Sequence, residues 1–174
     1  QAEHDQLAQG SLISKDKNIL EKTKKEVFEQ LKNLPRSSIA KKSLMMNGIL
    51  IYANSDKKII EIINKIGPEH LELNVKNYKS FVAKIKNAGS VCLGKYAVMA
   101  MTDYGAPGSN HVLPTDSSSK YSSGLNVSEF MKKISYITLS KKGIDKLGPS
   151  VITLANYEGL QGHAQSIVKR IRRK

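Results

Sequence analysis

The chain has 174 residues, of which 40% are hydrophobic and 25% charged, and its formal net charge is +13. This length suits one domain with a substantial core, or one domain with a small appendage. No apolar run approaches the roughly 20 residues that cross a bilayer, and no signal-like segment opens the chain, so we expect no membrane partner. The single Cys92 excludes an internal disulfide and favours a reducing, cytoplasmic location.

The positive charge raises the question of nucleic-acid binding, because basic surfaces bind phosphate backbones. Only four of the 28 basic residues are arginine, and the lysines are spread along the whole chain. The one dense cluster is "KRIRRK" at residues 169–174, and no helix-turn-helix, zinc-finger or aromatic–basic RNA-binding pattern occurs. A solvated lysine-rich surface explains the charge better than a nucleic-acid partner.

Short apolar runs alternate with amphipathic stretches, which predicts an α/β fold. Helical spacing predicts helices over 15–34, 38–46, 75–86, 141–157 and 159–172, and one that follows Ser55. Strands are predicted over 48–54, at "LEL" (71–73), over 89–94 and over 135–139, with Cys92 as a buried strand residue. We therefore expect a short, mainly parallel sheet flanked by helices, with a helical C-terminal appendage.

Regular patterns stop between residues 95 and 124, where Gly, Pro, Ser and Asn are frequent. Because long irregular loops inside compact domains are usually functional, and this one also carries Tyr, His, Val and Leu, we predict a functional loop. The predicted domains are residues 1–133, which hold this loop, and a small, mostly helical domain at residues 134–174.

The segment "GPEHLELN" (67–74) places Glu69 and His70 side by side. These are the side-chain types most often used to move protons near neutral pH. Neighbouring strand residues point to opposite faces, so a shared site requires a turn, for which Gly67 and Pro68 are suited. The alternative is an ordinary loop with two surface residues.

The four histidines all lie beside polar groups. His4 follows Gln1 by one helical turn, His70 follows Glu69, and His111 lies in the long loop. His163 lies five residues after Glu158. This set contains donors that zinc accepts, but only the fold can bring them together, since no CxxC or HExxH pair sets the geometry.

Six segments resemble histidinol dehydrogenase in sequence and order: "QAEHD", "GPEHLEL", "NAGSVCLG", "TDYGAPGSNHVLPT", "YSSGLNVSEFMKK" and "EGLQGHAQSIVKR". That family oxidises L-histidinol to L-histidine in two NAD-dependent steps, through the aldehyde, with zinc. The resemblance runs from residue 1 to about 170, and "PEHLEL" and "DYGAPGSNHVLPT" are its most specific parts. It implies a role in histidine biosynthesis and a homodimer whose C-terminal segments reach the partner's active site.

The resemblance implies a role for each matching residue. His70 would take the proton of the substrate hydroxyl, and Glu69 would activate the water that attacks the aldehyde. Zinc would be held by Gln1, His4, Asp103 and His163, and these residues, with His70 and Glu158, would contact substrate. His111 has two interpretations of equal weight, one as a lining residue of the site and one as a loop residue that fixes the backbone by a hydrogen bond.

The chain departs from the family pattern at Gly67 and Thr102, where Ala and Gly are usual, and in its length. Nothing resembles the family's N-terminal half, and no GxGxxG or phosphate-binding loop occurs, so no NAD-binding residue is predicted here. We expect a C-terminal part of the enzyme that is inactive alone and needs the N-terminal half as a partner. The rival hypotheses are a non-catalytic zinc- or histidinol-binding fragment and a basic nucleic-acid-binding protein.

Overall fold

The structure is a computed structural model that describes residues 1–105 and 110–171. The chain divides into two compact units, Gln1–Glu129 and Phe130–Lys174. In the first unit, the strands are β1 (Ser11–Ser14), β2 (Ile49–Tyr52), β3 (His70–Leu73) and β4 (Ser90–Leu93). Its helices are α1 (Lys17–Gln30), α2 (Ser37–Asn47), α3 (Asp56–Ile66), α4 (Lys79–Val82) and α5 (Met99–Tyr104). The second unit contains α6 (Lys141–Tyr157) and α7 (Gln161–Ile171).

The strands form two parallel pairs, β1 with β2 and β3 with β4. In the first pair Ser11 lies opposite Ile49, and in the second His70 lies opposite Ser90. The predicted α/β class, with parallel strands and a helical C-terminal part, is therefore confirmed. Strand β1 was not among the predicted elements, and the strands form separate pairs within the described residues.

Helix α3 and strand β3 supply three of the five residues in the main buried cluster of the first unit. Ser55 caps α3 by accepting a hydrogen bond from the Lys58 N–H at 3.3 Å, and Gly67 ends it with φ +62°. The buried core residues are Ala53, Ile59, Ile63, Leu73 and Phe81. Because Ile59 and Ile63 are one turn apart, a single face of α3 packs onto this core.

The predicted helix over residues 75–86 is wrong except for α4, a single turn at Lys79–Val82. Asn64 in α3 explains why the helix does not continue. Its side-chain amide donates to the Lys84 carbonyl at 2.9 Å, and its side-chain oxygen accepts from the Lys86 N–H at 2.7 Å. A helix through residue 86 would use the Lys86 N–H for its own hydrogen bonds, but here Asn64 takes that group and the chain continues into β4.

Two further predictions need correction. The strand predicted over residues 135–139 is absent, because the described residues 131–140 contain neither helix nor strand and have no neighbouring strand with which to pair. The turn of helix expected at Gln1 and His4 is a hydrogen-bonded turn only, in which the His4 N–H donates to the Gln1 carbonyl at 3.1 Å. Residues 106–109 of the long motif, and the predicted helix end at residue 172, lie outside the described residues.

In the second unit α6 and α7 pack against each other through small residues. Gly148, Ala155 and Ala164 are the buried residues of the two helices. Gly159, with φ +75°, forms the turn between them. Across the described parts of the chain, no helix is both long and apolar enough to span a membrane.

Candidate functional site

The strand pair β3–β4 has one apolar and one polar face. Leu73 is 3% exposed and belongs to the core, whereas His70 and Glu72 lie on the opposite face because side chains alternate along a strand. Ser90 lies opposite His70 in the register, and Cys92 lies opposite Glu72. The polar face therefore gathers an imidazole, a carboxylate, a hydroxyl and a thiol on two neighbouring strands.

Helix α5 contacts this polar face at both of its ends. At its first turn, the Met99 N–H donates to Glu72 Oε1 at 2.8 Å. At its last turn, Asp103 Oδ1 lies 3.5 Å from His70 Nε2. This segment was predicted to be irregular, and Asp103 was predicted as a site residue without the helix that carries it.

His70 and Asp103 form a largely enclosed pair, with side chains that are 14% and 11% exposed. At 3.5 Å the two groups form an ion pair only when the ring is protonated. Neither ring nitrogen of His70 has a hydrogen-bond partner among the described residues. Buried polar atoms nearly always have a hydrogen-bond partner. An imidazole whose two nitrogens both lack one is therefore unusual, and it suits a residue that binds a ligand.

Cys92 lies beneath the same face, buried as predicted, with 2% of its surface exposed. Burial raises the pKa of the Cys92 thiol above its ordinary value, and the charges of Glu72 and Asp103 raise the pKa further. A hydrogen bond with Thr102 acts in the opposite direction but does not reverse the shift. The thiol is therefore neutral at physiological pH and serves as a packing residue.

Glu69 directly precedes β3, and its carbonyl accepts a hydrogen bond from the Ser90 N–H at 2.8 Å. Glu69 itself lies in a bend, so it is not part of the strand. Gly67, with φ +62°, turns the backbone two residues before this bend. That Glu69 and His70 act on one substrate stays a prediction.

The loop that follows residue 110 is attached beside Glu69. Pro114 packs against Gly89 so closely that a Cβ there would lie 3.0 Å from Pro114 Cδ and 2.6 Å from the Glu69 carbonyl oxygen. The Ser117 hydroxyl donates to the last carbonyl of α3 at 2.6 Å. These contacts hold the described part of the long motif next to the start of β3.

His111 is exposed and contacts Tyr104 edge to face, with ring centroids 6.3 Å apart. Tyr104 is the last residue of α5, so this contact joins the loop to the helix that carries Asp103. No hydrogen bond to the His111 ring occurs within the described residues. The position of His111 fits both interpretations, and both stay predictions.

Gln1 and His4 are exposed, in the turn that opens the chain. Helix α2 holds this segment, since Arg36 Nη2 donates to the His4 carbonyl at 3.2 Å and Ser43 Oγ donates to the Ala8 carbonyl at 2.7 Å. The backbone around His4 is therefore anchored, while its imidazole is accessible.

Glu158 and His163 belong to the second unit, and both are exposed. Glu158 ends α6, and His163 lies in the first turn of α7. The turn at Gly159 separates them. Both side chains are accessible to a group that approaches this end of the helical hairpin.

The predicted zinc ligands are an amide, two imidazoles and a carboxylate, which are donors that suit zinc. Within residues 1–105 and 110–171, no group of three or more His, Cys, Asp or Glu side chains is close enough to hold a metal ion. The donor chemistry thus fits, while three of the four ligands lie on accessible surfaces of two separate units.

Glu72 and Thr102 contribute to the site but were not predicted. A sequence signal existed for Glu72, because a residue two positions after His70 shares its strand face. No comparable signal existed for Thr102, whose contact with Cys92 depends on the way α5 covers the sheet.

Together these features define an α/β protein with a buried histidine–carboxylate pair on the polar face of a parallel strand pair, an arrangement typical of enzymes that transfer protons. The family model of histidinol dehydrogenase matches residues 1–171, and the chain belongs to the histidinol dehydrogenase family.

The relatives are similar along nearly the whole chain. A histidinol dehydrogenase of Pelagibacter ubique is 72% identical over 174 residues, which are 100% of this chain and 40% of the relative. One from Listeria monocytogenes is 44% identical over 96% of this chain and 39% of the relative. A crystal structure of histidinol dehydrogenase from Elizabethkingia anophelis matches with a TM-score of 0.75 and 37% identity, over 98% of this chain and 39% of that chain. The chain thus spans about 40% of the length of the relatives it matches.

Proposed function

We propose that this chain forms the acid–base and metal-binding part of a cytoplasmic oxidoreductase of histidine biosynthesis, which converts L-histidinol to L-histidine through histidinal with NAD. Family membership supports the reaction class. The observation that carries the proposal is His70, a buried imidazole with two available nitrogens beside the Asp103 carboxylate.

His70 accepts the proton of the substrate hydroxyl as the adjacent carbon transfers hydride to NAD, which leaves the aldehyde. Asp103, 3.5 Å away, stabilises the positive charge that the ring gains. In the second step Glu69 takes a proton from water as the oxygen attacks the aldehyde carbon. A second hydride transfer from the resulting hydrate, with loss of its hydroxyl proton, then yields the carboxylic acid.

Gln1, His4, Asp103 and His163 are the proposed zinc ligands, on the strength of their donor chemistry and of the sequence resemblance. When bound, zinc holds the imidazole and amino groups of histidinol. Glu158 is proposed to contact the substrate. Because Glu158 and His163 lie on the second unit, we propose that a homodimer brings them to the site of the neighbouring copy.

NAD binding is assigned to the part of the relatives that this chain does not cover, since this sequence has no glycine-rich phosphate-binding loop. The chain alone is therefore expected to be inactive. Activity should appear when the chain is joined to the uncovered part of the Pelagibacter ubique relative, and NADH formation from L-histidinol measures it.

In this assembled protein, His70→Asn should lower kcat by about 10²–10⁴-fold, the usual contribution of a general base. Glu69→Gln should slow oxidation of added histidinal more than oxidation of histidinol to the aldehyde. Glu129→Gln, at an exposed glutamate of the same unit, is the matched control and should leave both rates unchanged. A His70→Asn protein that keeps its full rate would refute the assigned role.

A second candidate is a fragment that binds zinc or histidinol without catalysis, and the 40% coverage of the relatives favours testing it. Two measurements together separate the binding fragment from the enzyme. The first is calorimetric titration of L-histidinol into the chain, with equimolar zinc and again with a chelator, and the second is turnover in the joined protein. Zinc-dependent binding with no turnover in the joined protein would support the binding fragment. Turnover in the joined protein would support the enzyme.

A further inference from the structure

We infer that Glu72 is a positioning residue, which fixes α5 on strand β3 so that Asp103 faces His70. The inference rests on the proposed function, because it assigns Glu72 a purpose within the same site. Glu72 contacts neither the His70 ring nor a proposed zinc ligand through a hydrogen bond. Among the described residues, the Glu72 side chain accepts a single hydrogen bond, which the Met99 N–H donates at 2.8 Å.

The spacing of the two contacts explains how one hydrogen bond can set the position of Asp103. His70 and Glu72 are two residues apart on a strand, a separation of about 6.6 Å along its axis. Met99 and Asp103 are four residues apart on a helix, a rise of about 6 Å on one helical face. The two separations match, so both contacts can form at once. Because the start of α5 meets Glu72 and its end meets His70, the helix runs antiparallel to β3.

The chemistry of the Glu72 contact suits an anchor. The N–H groups of the first turn of a helix have no partner within the helix, and a carboxylate is their most favourable acceptor. Helix α5 contains only six residues, with no buried residue of its own. Such a short helix depends on external contacts, so losing this acceptor should free its first turn and shift Asp103.

The test uses the chain itself and requires no substrate, zinc or NAD, so it can fail independently of the proposed function. The imidazole resonances of the four histidines are recorded by NMR at one fixed pH. Asp103→Asn should shift the His70 resonances, and Glu72→Ala should shift them in a similar way. Glu72→Gln keeps an acceptor oxygen and should largely restore the wild-type positions.

Glu72→Asp keeps the negative charge but shortens the side chain by one methylene, so it should behave like Glu72→Ala. His4 and His163 are internal controls, which should not move, whereas His111 should move together with His70 because it contacts α5 through Tyr104. In the double variant, Glu72→Ala should add little to the shift caused by Asp103→Asn. Full additivity, or an unchanged His70 in both Glu72→Ala and Glu72→Asp, would overturn the inference.

If Glu72→Ala fails to fold, which the His4 and His163 resonances would reveal, Glu72→Asp decides the question alone. In the joined protein the same variants give a kinetic readout. Glu72→Ala should lower kcat by about 10–100-fold, the effect of a small misplacement of a reacting group, and Glu72→Gln should recover most of it.

Discussion

The surroundings of His70 are determined partly by local sequence and partly by tertiary contacts. Its place on the polar strand face follows from its position two residues before Glu72, while its burial depends on α5 and Asp103. A histidine at the surface would have water as a hydrogen-bond partner for both nitrogens. Here the ring is largely shielded from water, and neither nitrogen has a hydrogen-bond partner among the described residues. A substitution at His70 should therefore affect the chemistry more than the stability.

The raised pKa of Cys92 leads to a prediction about pH. The thiol ionises in the unfolded chain near its ordinary value of 9.0, but stays protonated to a higher pH in the folded chain. The folded state then binds more protons, so this contribution to stability is complete below about pH 9 and is lost as pH rises beyond it.

Urea unfolding at pH 8 and pH 10 measures this effect. The decrease in unfolding free energy should be smaller in Cys92→Ala than in the wild type, since the other groups that titrate are shared. A thiol reagent should modify native Cys92 slowly and unfolded Cys92 rapidly. An equal decrease in both proteins would contradict the assignment.

At the scale of elements, helix ends and crossings depend on glycines. Gly67 ends α3 with φ +62°, and a Cβ there would lie 2.9 Å from Ser119 Oγ. Gly67→Ala combines backbone strain with crowding against a buried serine, and should destabilise the chain by about 1–2 kcal/mol or more.

Gly159→Ala is the matched control for Gly67→Ala, because Gly159 also has positive φ, at +75°, but a Cβ at this position would have no atom within 4 Å. It should show the backbone strain alone, about 1 kcal/mol. Denaturant titration of both variants, followed by amide exchange in each unit, compares them. Equal costs would show that the Ser119 contact contributes nothing.

The crossing of α6 and α7 gives a second prediction for elements. A Cβ on Gly148 would collide with Ile171 and lie 3.0 Å from Ile167 Cγ2. Gly148→Val should therefore force the helices apart at a cost of about 1–3 kcal/mol.

Faster amide exchange across both helices is the expected signature of Gly148→Val. Gly162→Val is the control on α7, since a Cβ on Gly162 would have no atom near it. It should leave exchange in α6 unchanged. Unaltered protection of the hairpin in Gly148→Val would show that the crossing tolerates a side chain.

At the scale of the whole molecule, the chain forms two units, and the second begins with an exposed segment. Residues 131–140 have no regular structure, and Tyr136 and Ile137 are 88% and 84% exposed. Brief digestion with trypsin should cut first at Lys132 or Lys133, because a protease needs an extended, accessible backbone. Mass spectrometry identifies the cut.

Lys132→Gln with Lys133→Gln should remove this first cut, whereas Lys79→Gln, in α4, should not. A first cut within α1 or α6 would contradict the two-unit description. The cut would also test the proposed boundary at residues 133/134, which differs by four residues from the division of the structure after Glu129.

Local sequence was sufficient to predict an element wherever the backbone hydrogen bonds of that element form within one segment. Ser55, the isoleucine spacing and Gly67 predict α3, and residues 141–157 were predicted with the bounds that α6 has. The short strand predicted at 71–73 likewise lies within β3. In these cases periodicity, capping and residue type act over a few neighbouring positions.

Contacts between distant segments determined the elements that local sequence did not predict. Asn64 takes the Lys86 N–H that a longer α4 would have used, and the strand predicted over 135–139 is absent because a strand needs a partner. Helix α5 has too few residues to form without Glu72 beneath its first turn. The pairing of His70 with Asp103, 33 positions apart in sequence, therefore depends on a hydrogen bond between segments that no local pattern contains.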